Sequence, residues 1–237
     1  MDGVLADMDS ALAGLAEQEF RTAPASTAAA PEATDGAAAS ESEMRAASSQ
    51  PDLPSTALLE KLSSRQQARL WKRVADTRNF WETLGEHEPG AVRRLQKLAH
   101  DLRWDVLFVT QRPSTTGRTT QLQTQRWLHR HGFEHPSVFT TQGSRGRIAA
   151  AFTLDAHVDD RLSNAMDIAT ESKAWSILVW RDEASFARIS TGAAQFGIAT
   201  VRTVNEALDK LEAAHKTRAD DEPKTLFRRL KKTLGGR

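Results

Sequence analysis

The sequence contains no cysteine, and this absence excludes several classes of protein. Without a thiol the chain forms no disulfide, performs no thiolate catalysis and offers no cysteine ligands to zinc. No apolar run approaches the length needed to span a membrane. The N-terminus also lacks the basic region and apolar core of a signal peptide. We therefore expect a cytoplasmic protein without a membrane span.

The chain also lacks an excess of charge of one sign, because 32 basic and 31 acidic residues leave a net charge of +1. Net charge therefore indicates neither nucleic acid nor a membrane surface as a partner. A length of 237 residues provides for one core domain with an insertion.

One segment is poor in the residues that build a core. Residues 21–50 contain eleven alanines and no valine, isoleucine, leucine, phenylalanine or tryptophan. Such a segment buries too little apolar surface to offset the entropy lost on ordering, so we predict a disordered insert. We predict five segments: the start of the core (residues 1–20), this insert (21–52), a helical cap (53–88), the main core (89–215) and a basic amphipathic tail (216–237).

From residue 104 onward, short apolar runs alternate with stretches of helical spacing. The runs have the length and composition of parallel strands buried on both faces; they are residues 104–109, 138–139, 156–158, 176–180 and 198–201. The helical stretches are residues 117–131, 144–152, 163–173, 184–190 and 203–215. This alternation predicts an α/β fold with a doubly wound parallel sheet.

Four short motifs follow one another at the predicted strand ends. They are Asp-Gly-Val-Leu-Ala-Asp at residues 2–7, Val-Thr-Gln-Arg-Pro at 109–113, Gly-Ser-Arg-Gly-Arg at 143–147 and His-Val-Asp-Asp-Arg at 157–161. Each motif alone is weak. In this order and at these positions they together resemble the motif set of the haloacid-dehalogenase-like (HAD) phosphatases, and the resemblance covers nearly the whole chain apart from the insert.

The first motif also resembles the form found in the 5′(3′)-deoxyribonucleotidase branch of that family. So does the pair Phe80-Trp81 followed by Pro-Gly-Ala at residues 89–91. The resemblance implies a HAD-like core with a small helical cap insertion and a small phosphorylated substrate, with nucleotides as candidates.

The family places its nucleophile two residues before the aspartate that Asp2 matches, at the end of the central strand. That position would lie one residue before Met1. In the sheet order 3-2-1-4-5, absence of the first strand leaves strands two and four without a partner between them. The resemblance therefore predicts either a true start upstream of Met1 or a relative that has lost catalysis.

The resemblance implies a role for each matching residue. The missing aspartate would form an aspartyl-phosphate, and Asp2 would act as general acid and then general base. Thr110 would donate its hydroxyl to a phosphate oxygen. Arg145 or Arg147 would take the place of the family's lysine, and we favour Arg145 slightly because it lies at the predicted helix start.

The metal and substrate residues follow in the same way. Asp159 and Asp160, with the backbone carbonyl of Asp2, would hold Mg²⁺, a hard cation that prefers oxygen ligands. Gln111 and Arg112 are candidates for substrate binding, although Arg112 could instead cover the sheet edge.

Two aromatic residues are further candidates. Phe80 and Trp81 could stack on a nucleobase, but aromatics at such a junction more often pack.

Other residues have simpler interpretations. Asp7 and Asp9 either favour a helix N-terminus or contact substrate. His129, His131 and His135 lack supporting acids, so we expect them to face solvent or cap a helix. The tail carries six basic residues and no acid between Lys224 and Arg237, and we expect a solvated helix that docks loosely on the core rather than a nucleic-acid partner.

Two classes of function remain. The first is a Mg²⁺-dependent phosphomonoesterase, and the second is a catalytically inactive relative that binds a phosphorylated ligand or a protein. We favour the first. The sequence leaves the substrate and the oligomeric state open.

Overall fold

The computed structural model describes residues 1–21 and 59–218. These residues form a mixed α/β fold with parallel strands, as the sequence predicts. Nearly all of the predicted insert and the basic helix predicted from Lys224 to Arg237 lie outside the described residues.

The strands of the described residues form three small sheets. β1 (Ala6–Asp7) and β2 (Gly85–Glu86) are antiparallel, whereas the strands within the other two sheets are parallel. One parallel sheet pairs β3 (Leu107–Thr110) with β4 (Ser137–Thr140). The other has the order β5-β6-β7, formed by Ala156–Asp159, Trp175–Val179 and Ala199–Val201.

The five parallel strands therefore lie close to their predicted positions but do not form one continuous sheet. Within residues 1–21 and 59–218, β3 pairs only with β4, and β5 pairs only with β6. One side of β3 and one side of β5 thus lack a strand partner there.

Eight α-helices lie in the described residues: α1 (Met8–Arg21), α2 (Ser64–Asp76), α3 (Ala91–Leu102), α4 (Thr120–Arg130), α5 (Arg145–Ala151), α6 (Leu162–Glu171), α7 (Glu183–Ala194) and α8 (204–218). Two single 3₁₀ turns, Leu59–Lys61 and Phe80–Glu82, accompany them. Several helices begin with a side chain that accepts from the first turn, which satisfies an otherwise unpaired N–H group. Ser63 does so for α2 in a capping box, and Thr119 does so for α4.

One main hydrophobic core joins these elements. It includes Leu12 of α1, Leu70 of α2, Trp127 of α4 and Ile177 of β6, each fully buried. The indole of Trp127 donates to the carbonyl of Leu84 at 2.7 Å, so its polar atom is satisfied within the core. The N-terminal helix and the helix predicted in the cap therefore share one core with both parallel sheets.

The first residues of the chain are tied firmly into this core. Val4, Leu5 and Ala6 are buried, and the carbonyl of Leu5 accepts from the backbone N–H of His87 at 2.9 Å. Arg181, which follows β6, donates to the carbonyls of Gly3 and Val4. These contacts hold the first motif against the loops that follow the strands.

Candidate functional site

Residues 2 and 3 join the ends of the two parallel sheets. The hydroxyl of Thr110, the last residue of β3, donates to Asp2 Oδ2 at 2.8 Å. On the other side, Gly3 lies against the carboxylate of Asp160, which directly follows β5. The site-residue predictions from motifs one, two and four therefore meet in one place, although motif one lies more than 100 residues before the other two in the chain.

The carboxylate of Asp2 is held by an arginine from the second motif. Arg112 donates through Nε to both Asp2 oxygens, at 2.8 and 3.0 Å, and through Nη2 to Oδ1. Burial acts to raise the pKa of Asp2, but the charge and hydrogen bonds of Arg112 and the Thr110 hydroxyl hold that pKa below its usual value. Asp2 is therefore a carboxylate near neutral pH.

Arg112 itself is fixed by its surroundings. Its side chain is completely buried, and Nη1 donates to the hydroxyl of Thr124 at 2.9 Å. The guanidinium lies 4.9 Å from the centre of the Trp81 ring, a cation–π distance. Arg112 therefore neither lies free for substrate nor covers a sheet edge, because it pairs with Asp2.

Asp159 and Asp160 form a second group of carboxylates. Asp159 is 6% exposed and accepts from the backbone N–H of Arg161 at 2.9 Å and from the Asn164 amide at 3.0 Å. Burial and the neighbouring charge of Asp159 raise the pKa of Asp160 to about 6. The two acids thus form a like-charge pair in which Asp159 is buried and Asp160 is partly buried, the arrangement that a cation relieves.

Gly3 is required beside this pair. Its φ of +71° lies in the left-handed region, and a Cβ there would come within 1.9 Å of Asp160 Oδ2. A side chain at this position would therefore displace the carboxylate.

The structure separates the two arginines between which the third motif could not decide. Arg145 is 8% exposed, and its Nη1 is buried without a hydrogen-bond partner among the described residues. Burial lowers the pKa of Arg145, although the charges of Asp159, Asp167 and Asp2 act in the opposite direction. Arg145 thus provides an unsatisfied buried donor within the field of the site carboxylates.

Arg147 lies outside this group. Its side chain is 82% exposed, and its Nε lies 3.5 Å from Glu171. The cause is the start of α5, where Asp167 accepts from the backbone N–H of Gly146 at 2.8 Å and from the Ser144 hydroxyl at 2.9 Å. These bonds fix the rotation of a short helix, and that rotation directs one arginine inward and the other outward.

Two predicted substrate residues have a packing role. Phe80 and Trp81 are 3% and 0% exposed, and their rings meet edge to face with centroids 4.9 Å apart. Trp81 also donates from Nε1 to the carbonyl of Pro113 at 2.9 Å. Both rings are packed in the described residues, as aromatics at such a junction more often are, and Trp81 also lies against Arg112. Binding of a nucleobase by this pair stays a prediction. Gln111 is partly buried beside Thr110.

His157 lies close to the site but has no role in the sequence prediction. Its Nε2 lies 3.6 Å from Asp159 Oδ2, and Nδ1 is buried without a partner in the described part of the chain. Burial lowers the pKa of His157 more than Asp159 raises it. The alternation of a strand, which places residues 157 and 159 on one face, is the signal that could have indicated this neighbour.

The other uncertain residues resolve simply. Asp7 accepts from the backbone N–H of Ser10 at 3.0 Å and so favours the start of α1. His131 lies 3.4 Å from Glu86, an acid that the sequence interpretation did not assign to it.

The site can be compared with the needs of Mg²⁺. Within residues 1–21 and 59–218, no three His, Asp or Glu side chains come together as a complete set of metal ligands. Mg²⁺, however, is commonly bound through one or two carboxylates and completes its shell with water and phosphate. The neighbouring acids Asp159 and Asp160 supply that number of carboxylates, so the donor chemistry fits this ion.

Searches of family models, of the curated proteins and of the solved structures found nothing that matches this chain. No helix of the described residues is long and apolar enough to cross a membrane. The functional proposal therefore depends on the geometry of the site.

Proposed function

We propose that the chain is a HAD-like phosphomonoesterase that uses Mg²⁺ and acts on small phosphorylated compounds, nucleotides among them. The observation that carries the proposal is the buried, unpaired Nη1 of Arg145 within the field of Asp159 and Asp2. A buried donor without a partner is costly unless a ligand satisfies it. A phosphoryl group, as an anion with several acceptor oxygens, satisfies an arginine especially well.

The residues around Arg145 have complementary tasks. Arg145 would bind and neutralise a phosphoryl oxygen, and Asp159 and Asp160 would hold Mg²⁺, which would offset the remaining negative charge. Asp2, whose pKa is lowered, stays ionised and would orient the attacking water by accepting a hydrogen bond, although its pairing with Arg112 makes it a weak base. Thr110 would position both Asp2 and the substrate, because its hydroxyl already contacts Asp2.

The nucleophile of the family corresponds to a position ahead of Met1. Within residues 1–21 and 59–218, one side of β3 and one side of β5 lack a strand partner, and the family has its central strand, which ends in that nucleophile, between the strands that these two resemble. Turnover is therefore best tested on a chain extended before Met1 by about five apolar residues that end in aspartate.

A second function is favoured by one specific contact. Arg112 and Thr110 both donate to Asp2, so the acid is already neutralised as a buried ion pair. Such a pair suits a protein that binds a phosphorylated ligand without turning it over.

Binding is the first test. Isothermal titration calorimetry of the 237-residue chain with inorganic phosphate in the presence of Mg²⁺ should detect binding. Arg145→Gln should weaken it by about tenfold or more, because a charge-assisted hydrogen bond is lost. Arg147→Gln is the matched control: it makes the same change two residues away, on an exposed side chain, and should leave the affinity unchanged. Equal effects of the two substitutions would contradict the proposed site.

Turnover separates the two functions. The extended chain should hydrolyse a phosphate monoester with Mg²⁺, and Asp159→Asn or Thr110→Ala should abolish this activity. Binding without hydrolysis by a folded extended chain would favour the second function. Loss of binding in both chains would overturn the proposal as a whole.

A further inference from the structure

A second charged cluster lies on the outer side of α4, away from the site. Glu82, which is 7% exposed, is surrounded by three arginines. Its Oε1 lies 3.3 Å from Nη1 of Arg118, and its Oε2 lies 3.2 Å from Nε of Arg126 and 3.4 Å from Nη2 of Arg130. We call these four residues the Glu82 cluster.

The positive charge of the Glu82 cluster exceeds its negative charge. Three guanidinium groups share one carboxylate, which leaves a surplus of two positive charges. Arg126 and Arg130 are also four residues apart on one helix, where like charges repel each other. An additional anion would relieve this repulsion.

The arginines are partly ordered before any ligand arrives. Arg130 donates from Nη1 to the backbone carbonyl of Glu82 at 2.7 Å, while Arg126 donates to the carboxylate through Nε. Their side chains nevertheless remain 55% and 51% exposed, so the guanidinium groups are accessible. Ordered arginines lose less entropy on binding, which favours affinity.

A cavity of about 570 Å³ opens beside these two arginines. The residues that line it are Gln125, Arg126, His129, Arg130, His135 and Pro136. The ionisable side chains among these residues are arginines and histidines, and none is acidic. The volume of the cavity is within the range of small-molecule sites.

We propose that this cavity binds a small oligophosphate. This class of anion carries several negative charges, and its pairs of oxygens can accept two hydrogen bonds from one guanidinium group. The fork of an arginine donates two hydrogen bonds to a pair of phosphate oxygens. A carboxylate ligand with a single charge would neutralise less of the surplus positive charge. The site is separate from Arg145 and does not depend on the proposed hydrolysis.

The experiment uses the full chain and tripolyphosphate, with a chelator present to remove Mg²⁺, at physiological ionic strength. The double variant Arg126→Gln/Arg130→Gln should bind tripolyphosphate at least about tenfold more weakly than the unchanged chain. Arg69→Gln is the matched control, because Arg69 is a half-exposed arginine that also pairs with one acid, Glu19. This control should keep the affinity of the unchanged chain.

Two results would overturn the inference. They are unchanged binding by the folded double variant, and binding of a single-stranded oligonucleotide without binding of tripolyphosphate. If the double variant does not fold, Arg126→Lys provides the second test. It keeps the charge but removes the fork, so affinity should fall severalfold, and an unchanged affinity would also overturn the inference.

Discussion

Two ion-pair clusters lie on either side of α4, and they differ in the number of positive charges for each negative charge. This difference distinguishes a structural contact from a potential binding site. Arg112 and Asp2 form a closed pair, with side chains 0% and 12% exposed. Glu82 instead shares its single charge among three arginines that are 41–55% exposed. In the first cluster each charge has a partner, so little is left for a ligand. In the second, the unmatched charge faces solvent and a cavity.

The closed pair should give the largest effect when it is broken. Arg112→Met keeps the volume of the side chain but leaves the buried carboxylate of Asp2 without its cation. The free energy of unfolding should fall by about 3–5 kcal/mol, as is typical of a buried pair that loses one partner. Urea unfolding measures this change.

Two further variants make that test specific. Arg147→Met, on an exposed side chain, should change stability by about 0.5 kcal/mol at most. Asp2→Asn combined with Arg112→Met should recover most of the lost stability, because no buried charge then remains. Additive losses in the double variant would contradict the pairing.

The like-charge pair of Asp159 and Asp160 extends the comparison to two acids that lie next to each other. Between pH 3.8 and about 6, folded Asp160 keeps a proton that the unfolded chain has released, so stability falls as the pH rises through this window. Asp160→Asn avoids this loss. As the pH rises from about 4 to about 7, the free energy of unfolding of the variant should increase relative to that of the unchanged chain by on the order of 2–3 kcal/mol.

Urea unfolding at several pH values measures that difference. Mg²⁺ should stabilise the unchanged chain mainly above the pKa of Asp160, where both acids are charged, and should have little effect on the variant. A constant difference across the pH range would show that Asp160 titrates normally.

The open cluster should respond less than the closed pair. Glu82→Gln removes the one counter-charge of three arginines, but water already solvates half of each guanidinium. We expect a loss of about 1–3 kcal/mol in the free energy of unfolding. Glu183→Gln, which breaks an exposed pair with Arg202, should have a much smaller effect, because solvent screens that pair. If both substitutions had the same small effect, the burial of Glu82 would be energetically unimportant.

Much of the fold could be predicted because its signals are local. The apolar run at residues 104–109 contains most of β3, and the helical spacing at residues 203–215 lies almost entirely within α8. Thr110 and Asp160 were assigned as site candidates from their positions at or next to strand ends, and the structure brings both to the first motif. Strand ends are readable because burial in a parallel sheet demands a continuous apolar run that stops abruptly.

The choice between Arg145 and Arg147 could not be made from the sequence. Both lie in the first turn of α5, and helical periodicity shows only that they point in different directions. The inward direction depends on Asp167, an acid of the next helix that accepts from the backbone of α5. The same limit applies to Phe80 and Trp81, because an aromatic pair has the same composition whether it packs or binds.

The amino-acid sequence by itself determined the alternation of strands and helices and placed hydroxyl and carboxylate residues where strands end. These features follow from periodicity and apolar runs within about ten residues of chain. Only the tertiary structure decided that the parallel strands form two sheets, that Arg112 pairs with Asp2, and that three arginines gather around Glu82. Such contacts join residues 36 to 110 positions apart, so they depend on packing that no local pattern encodes.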